Sequence, residues 1–285
     1  MKHAIAKADT LLEALPYLRQ FRGATFVIKY GGSIQDTAGG EESVVEDLLF
    51  LHSVGIWPVV VHGGGKEISE AQKHAGLAPR FVQGLRVTDD RTMELTDRIL
   101  GRINRRIVAR LGRFGDDGAG FSGRKGGVLI ARKLLLKGAH ANEDLGHVGE
   151  IVSFNMGPLL RARNRVPIFS SVAVGDRGEL FNVNADDVAA ALAGRLRAAK
   201  LVLMTDVPGI QDGGGNLLTS LTPTKARALV GSGVISRGMI PKVRACLQAL
   251  GKGVRKAHII DGRLRHSLLL EIFTSKGVGT EIVKA

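Results

Sequence analysis

Lys29 stands at the end of an apolar run, Thr25-Phe26-Val27-Ile28, and is followed by Tyr30-Gly31-Gly32-Ser33. The run is short, continuous and partly β-branched, which predicts a buried parallel strand. Two glycines after it let the backbone turn sharply and approach a ligand with no Cβ in the way. Exposed N–H groups at such a turn favour anions, and Lys29 adds a point charge beside them. The chemistry this suggests is phosphate handling at a strand end; a plain strand-end turn is the simpler alternative. Three more polar groups stand at glycine-rich strand ends or helix starts: Gly64 and Gly65 within His62-Gly63-Gly64-Gly65, Asn182 with Asp186, and Lys242 after Pro241. A lysine in a first helical turn is unfavourable for the helix dipole, which favours a functional reading of Lys242 over an ordinary surface lysine. Asn182 alone reads equally as a turn or cap residue.

Residues 9–21 read as an amphipathic helix, with Thr10 and Glu13 as a capping box, Leu11, Leu12, Leu15 and Leu18 as its stripe and Pro16 as a kink. A helix follows over Glu41 to Val54 with Val44, Val45, Leu48, Leu49 and Phe50 inward. A second strand, Ile56 to Val61, ends in the glycine turn and passes into a helix from Lys66. The strand, glycine turn, helix pattern has then occurred twice, as in doubly wound parallel sheets with ligands at the carboxyl ends of strands. An extended segment spans 78–87, and a long basic helix runs to about Leu111. Strands are expected at Gly127 to Ala131 and Gly149 to Val152, as a hairpin over the sheet edge. A further strand covers Val166 to Val174. A small-residue helix is expected over Val188 to Ala199 and a buried strand at Leu201 to Asp206. A helix carries Pro241 and Lys242 in its first turn. The chain then alternates through 254–261, a short helix from His266 and a strand at 278–283. Nothing resembles a linker between the halves, so one fold with two lobes is expected. Gly118 to Gly123 matches G-x-G-x-x-G literally but lacks the dinucleotide context of a preceding strand and a spaced acidic residue. Gly65-Lys66-Glu67 is not a P-loop.

The 285 residues are 44% hydrophobic and 5% aromatic, enough for a large core. The net charge of +13 raises nucleic-acid binding. Arg98, Arg102, Arg105, Arg106, Arg110 and Arg113 do make one helix face strongly basic. Stacking aromatics and a recognisable nucleic-acid module are both missing, so a solvated helix or subunit interface is the better reading, and the positive field also suits anionic substrates. Cys246 is the sole cysteine, expected in the core; its solitude fits a reducing compartment. The amino terminus has no signal-peptide core and no run approaches a membrane span, so a cytoplasmic location without membrane contact is expected.

Six stretches occur in an order that resembles the amino-acid kinase family and, within it, the N-acetylglutamate kinases. They are Lys29-Tyr30-Gly31-Gly32, His62-Gly63-Gly64-Gly65, Gly84-Leu85-Arg86-Val87-Thr88-Asp89, Asn182-Val183-Asn184-Ala185-Asp186, Thr205-Asp206-Val207-Pro208-Gly209 and Gly238-Met239-Ile240-Pro241-Lys242. The resemblance implies an α/β three-layer sandwich around a mainly parallel sheet, with residues 23–194 as the acyl-substrate lobe and 195–285 as the nucleotide lobe. It implies phosphoryl transfer from ATP, brought with Mg²⁺, to the side-chain carboxylate of N-acetyl-L-glutamate, in arginine biosynthesis. The residues present suit that chemistry. A carboxylate nucleophile is already ionised at neutral pH and needs no general base. Two anions must meet, so positive charge and aimed N–H donors are required. By the resemblance Lys29 and Lys242 are the catalytic lysines and Asp186 holds them. Gly31 and Gly32 bind phosphate, Gly64 and Gly65 receive the acyl group, Arg86 grips its second carboxylate and Asn182 bonds the acetamido group. The adenine and ribose are expected near Thr205-Asp206 and 218–234. No carboxylate cluster suggests a dedicated metal site.

The helix over residues 1–22 resembles the amino-terminal helix by which arginine-inhibited members join dimers into hexamers. The stretches 258–263, 271–274 and 277–280 match the same type, so arginine is an expected inhibitor. Lys66, Arg237 and the run Ser170-Ser171-Val172-Ala173 depart from the family pattern. The alternatives carried with this reading are a relative acting on carrier-bound aminoadipate or glutamate, a non-catalytic arginine sensor, and a basic nucleic-acid binder.

Overall fold

A computed structural model describes residues 2–32, 40–115, 118–136, 143–236, 238–274 and 277–284. In chain order they form α1 (Lys2–Phe21), β1 (Thr25–Tyr30), α2 (Gly40–Ser53), β2 (Trp57–His62), α3 (Gly65–His74), β3 (Phe81–Val82), β4 (Leu85–Arg86) and α4 (Asp90–Leu111). Then come β5 (Gly118–Phe121), β6 (Leu129–Lys133), β7 (Gly149–Phe154), α5 (Met156–Arg161), β8 (Val166–Ser170), β9 (Val172–Val174), β10 (Leu180–Asn182) and α6 (Ala185–Arg195). The rest comprises β11 (Lys200–Thr205), β12 (Ser220–Leu221), α7 (Pro223–Gly231), α8 (Met239–Gly251), β13 (Lys256–Asp261), α9 (Ser267–Phe273) and β14 (Thr280–Val283).

The main sheet has the order β12-β14-β13-β11-β1-β2-β8-β5. Its pairs are parallel except β13 with β14. Buried on both faces, the central strands are almost wholly apolar, as such strands must be. Side chains alternate between faces, and β1 shows the consequence. Phe26, Ile28 and Tyr30 enter the core with α2, α4 and α9, whereas Val27 enters the core with α6 and α8. Lys29, two residues beyond Val27, therefore belongs to the α6/α8 face. By the same alternation His62 shares the face of Val60, which is the face of α4. The strand order reverses around β1, so the carboxyl ends of β1, β2 and β11 border one crevice. A second sheet, β10-β9-β6-β7, stands over the β2/β8 side and carries Asn182.

Several expectations change. Helix α1 begins at Lys2, so position 10 lies within it rather than at its start, and the helix continues through Pro16 as one element. Phe50 is about one-third exposed rather than inward; it meets Phe273 edge-on, with 5.7 Å between centroids. Val166 to Val174 is two strands in two sheets, split at Ser171. The β6/β7 pair is antiparallel as expected but belongs to the second sheet rather than the main sheet's edge. The glycines of 118–121 form edge strand β5, pressed so close to α4 that a Cβ on Gly120 would lie 2.4 Å from Asn104 Oδ1. Edge strands of small residues lack the β-branched signal that reveals central ones. Arg237 lies outside the described residues.

Candidate active site

Asp186 sits in the first turn of α6, where Asn184 caps the helix by accepting from the Asp186 N–H at 2.8 Å and from the Asp187 N–H at 3.3 Å. An acidic residue there is favoured by the helix dipole. Its carboxylate lies between two ammonium groups: Lys29 Nζ is 3.1 Å from Oδ1, and Lys242 Nζ is 2.9 Å from Oδ2. All three side chains are largely removed from solvent. Burial alone would push Asp186 up, but Lys29 and Lys242 together outweigh it and hold the acid at about 2. Burial lowers Lys29, Asp186 opposes that, and Lys242 adds to the lowering. The cluster carries a net single positive charge, and each lysine keeps further N–H donors for an incoming anion.

Beside it opens a cavity of about 230 Å³ bordered by Lys29, Gly32, Gly64, Gly65, Arg86, Asn182 and Asp186, among others. The structure thus gathers the expected residues at one place: Lys242 joins through Asp186, and Gly31 precedes Gly32 at the rim. Residues 33–39, which follow, lie outside the described residues. Arg86 is not a free fork. Its Nη2 donates to the Gly65 carbonyl at 2.8 Å and to Ser69 Oγ at 2.7 Å, and its Nη1 donates to Gln72 Oε1. Gln72 in turn donates to Thr92 Oγ1 at 3.2 Å. Phe81 packs on the guanidinium, 4.7 Å from centroid to Cζ. Arg86 keeps Nε and one Nη1 hydrogen for a ligand. Asn182 Nδ2 donates to Thr88 Oγ1 at 3.2 Å, and Thr88 donates to the Arg86 carbonyl at 2.8 Å. Those bonds tie the Asn182 side chain and the Arg86 backbone to one buried hydroxyl.

Sequence reasoning missed Ser69, Gln72 and Thr88 as supports. Ser69 and Gln72 are three apart on α3 and so share its face, a signal that gains meaning only once Arg86 is known to lie opposite. Of the departures from the family pattern, Ser171 borders the cavity, whereas Lys66 is exposed. Two arginines of the basic stripe are tied to a buried acid: Arg110 Nε lies 2.6 Å and Arg106 Nη2 3.0 Å from Glu41.

A second cavity, of about 380 Å³, lies between α1, α9 and the amino-terminal ends of β11 and β13, bordered by Tyr17, Phe21, Lys200, His258, Glu271 and Glu281 among others. Glu271 accepts from His258 Nδ1 at 2.6 Å, leaving His258 Nε2 to accept from Lys200 Nζ at 3.1 Å. Burial and the nearby Lys256 lower Lys200 to about 8, against the opposing pull of Glu271 and Glu281.

Among the described residues no three His, Cys, Asp or Glu side chains gather as a metal cage, and no helix is long and apolar enough to cross a membrane. A Mg²⁺ ion commonly keeps waters and rides on nucleotide phosphates, and a lysine-rich site with one engaged carboxylate fits such a metal better than a resident one.

The model of the amino acid kinase family matches residues 24–261, a span that contains every residue of this site. The chain belongs to the amino acid kinase family. Among relatives of this family member, proteins named acetylglutamate kinase from Geobacter sulfurreducens and from Aquifex aeolicus are 48% and 47% identical, each with 99% of both chains covered. Among solved structures, N-acetylglutamate synthase from Neisseria gonorrhoeae, complexed with coenzyme A and N-acetyl-glutamate, superposes with a TM-score of 0.88 at 26% identity. The match covers 98% of this chain and 63% of the synthase. Carbamate kinase from Giardia lamblia bound to AMP-PNP, at 15% identity and a TM-score of 0.67 over 92% of this chain and 99% of the other, shares the fold.

Proposed function

We propose that this chain transfers the γ-phosphoryl group of ATP to the side-chain carboxylate of N-acetyl-L-glutamate, forming N-acetyl-L-glutamyl 5-phosphate and ADP in arginine biosynthesis. The observation that carries the reading is the pair of lysines on one carboxylate beside a glycine-bordered cavity, in a chain whose relatives bear the acetylglutamate kinase name. A carboxylate oxygen attacks the γ-phosphorus while the bond to the bridging oxygen of ADP breaks. No proton moves in that step. Lys29 and Lys242 offset the charge that spreads over the transferred oxygens. Asp186 keeps the two ammonium groups from repelling each other apart. Gly31 and Gly32 hold phosphate oxygens. Gly64 and Gly65 present N–H groups at the start of α3 to the acyl substrate. Arg86 takes the second carboxylate with its remaining donors, and Asn182 bonds the acetamido group. Mg²⁺, bound with the nucleotide, neutralises phosphate charge. Residues 23–194 serve the acyl substrate and 195–285 the nucleotide.

A kinase assay that traps the acyl phosphate with hydroxylamine tests this directly. Turnover of acetylglutamate above that of other acidic amino-acid derivatives is expected; equal or lower turnover overturns the substrate assignment.

Arginine acts as a feedback inhibitor in this reading. Its support is the acid- and base-bordered cavity beneath α1, together with a synthase of the same fold complexed with coenzyme A and L-arginine, at a TM-score of 0.87 and 26% identity. Glu271 and Glu281 offer acceptors to a guanidinium and Lys200 a donor to a carboxylate. A kinase rate unchanged by arginine up to millimolar levels overturns it. Helix α1 leaves Ile5, Leu12 and Leu15 exposed, which supports a homo-oligomer built through α1, from dimers to a hexamer. The protein works in the cytoplasm.

A further inference from the structure

His62 ends β2 with no exposed surface, immediately before the glycines of the acyl cavity, and Asn104 comes to it from the buried face of α4. The Asn104 amide nitrogen is 2.8 Å from the Ile168 carbonyl, 3.4 Å from the Phe121 carbonyl and 3.2 Å from His62 Nε2. Two carbonyl oxygens on one side of an amide demand that its NH₂ face them, which decides the orientation of Asn104 by chemistry. The same NH₂ faces His62 Nε2, so that nitrogen accepts. Burial, with Arg106 adding to it, lowers His62 to about 4 against the Gly63 carbonyl, so the ring is neutral at working pH. A neutral imidazole has a single N–H, which here must be on Nδ1. His62 Nδ1 lies 3.0 Å from the Gly63 carbonyl and donates to it.

That bond draws the Gly63 carbonyl inward. The described chain contains no cis peptide, and in a trans peptide the following N–H points opposite to the carbonyl. The Gly64 N–H is therefore turned away from His62, towards the cavity that Gly63, Gly64 and Gly65 border. Packing allows little rotation of this turn: a Cβ on Gly64 would meet Ile103 Cδ1 at 2.7 Å and Leu100 Cδ2 at 2.8 Å, both on α4. We infer that His62 and Asn104 are positioning residues: Asn104 selects the Nδ1–H tautomer of His62, and His62 locks the Gly63–Gly64 peptide with the Gly64 N–H aimed at the acyl substrate. The inference rests on the proposed role of Gly64 as a donor to that substrate. The two residues touch neither substrate; they act through one peptide plane, as outer partners orient ligands in a metal site.

The test uses the full-length chain. ¹⁵N shifts of the His62 ring at neutral pH are expected to place the proton on Nδ1; a proton on Nε2 overturns the inference whatever the variants do. His62→Leu keeps the volume without the donor and is expected to lose about 10–100-fold in kcat, the range for outer-shell partners, with KM for ATP unchanged. His62→Asn, whose amide nitrogen falls near the position of Nδ1, is expected to recover most of that loss. Equal activity of the two variants overturns the inference, because a merely structural role does not depend on the donor. The Gly64 amide resonance separates this failure from that of the underlying reading. It is expected to shift on addition of N-acetyl-L-glutamate to the wild type and not to His62→Leu. A shift kept in His62→Leu overturns the positioning role alone, and no shift in the wild type overturns both.

Discussion

A single carboxylate holding two ammonium groups makes the three residues unequal. In the proposed mechanism Lys29 and Lys242 each bring a preorganised donor to the transferring phosphoryl group. Lys29→Ala and Lys242→Ala are each expected to lower kcat by about 10²–10³-fold, as for loss of one oxyanion donor. Hydroxylamine trapping measures it, and near wild-type rates in both variants would remove the mechanism. Asp186 matters also to stability. Its folded pKa, about 2, lies below the unfolded value near 4. Its stabilisation is therefore complete above about pH 4 and is lost as the pH falls towards about 2, on the order of 2 kcal/mol in all. Urea unfolding of Asp186→Asn across that window should show a flatter acid limb than the wild type. Lys29, Lys242 and Asp186 were legible in the sequence because each stands beside a glycine turn or near the start of a helix, whereas Asn182, at the end of β10, stood out through the stretch it shares with Asp186. The bonds of Arg86 to Gly65, Ser69 and Gln72 were not, since nothing local in α3 announces a guanidinium arriving from β4.

At the scale of elements, β2 and α4 together shape the glycine loop that precedes α3. The buried face of α4 bears Ile99, Leu100, Ile103 and Ile107, each worth roughly 1.5–3 kcal/mol when fully buried, and Asn104 is a polar residue set among them. Gly64 fits only because it lacks a side chain. Gly64→Ala is expected to cost about 1–3 kcal/mol from overpacking. Ile103→Val in the Gly64→Ala background should restore part of it, because one of the two clashes is with the Ile103 δ-methyl. Urea midpoints of the two singles and the double decide; strict additivity would show that the contact is not the cause. From sequence, α4 showed its arginines, since a 22-residue amphipathic helix with basic residues at helical spacing is a strong local pattern. That Arg106 and Arg110 close on Glu41 of α2 depends on the crossing of two helices, which the pattern does not contain.

At the scale of the whole molecule, α1 is attached by a few aromatic contacts. Phe21 meets Phe26 with 5.2 Å between centroids, and Tyr17 meets Phe273 with 6.5 Å. Phe273 also meets Phe50, so α1, α9 and α2 form one aromatic series. The second cavity has α1 as a wall, while the lysine clamp lies at the strand ends across the sheet. Deleting residues 1–22 is expected to lower the oligomer size in sedimentation and to abolish arginine inhibition, while leaving kcat within about threefold, since no deleted residue borders the acyl cavity. Retained arginine inhibition would separate α1 from regulation.

By itself the sequence determined the strand, glycine turn, helix units, the mainly parallel sheet and the polar residues at strand ends. These are local: a buried strand must be apolar throughout, a sharp turn needs glycine, and a helix start favours Asn and Asp. Only the tertiary structure decided that Lys29 and Lys242 share Asp186. That meeting depends on the alternation of β1 placing Lys29 on the face covered by α6 and α8. It likewise decided that Arg86 arrives half-engaged, that the run from Val166 divides between two sheets, and that His62 meets Asn104. Each of those is set by how distant elements cross, and no stretch of residues records a crossing.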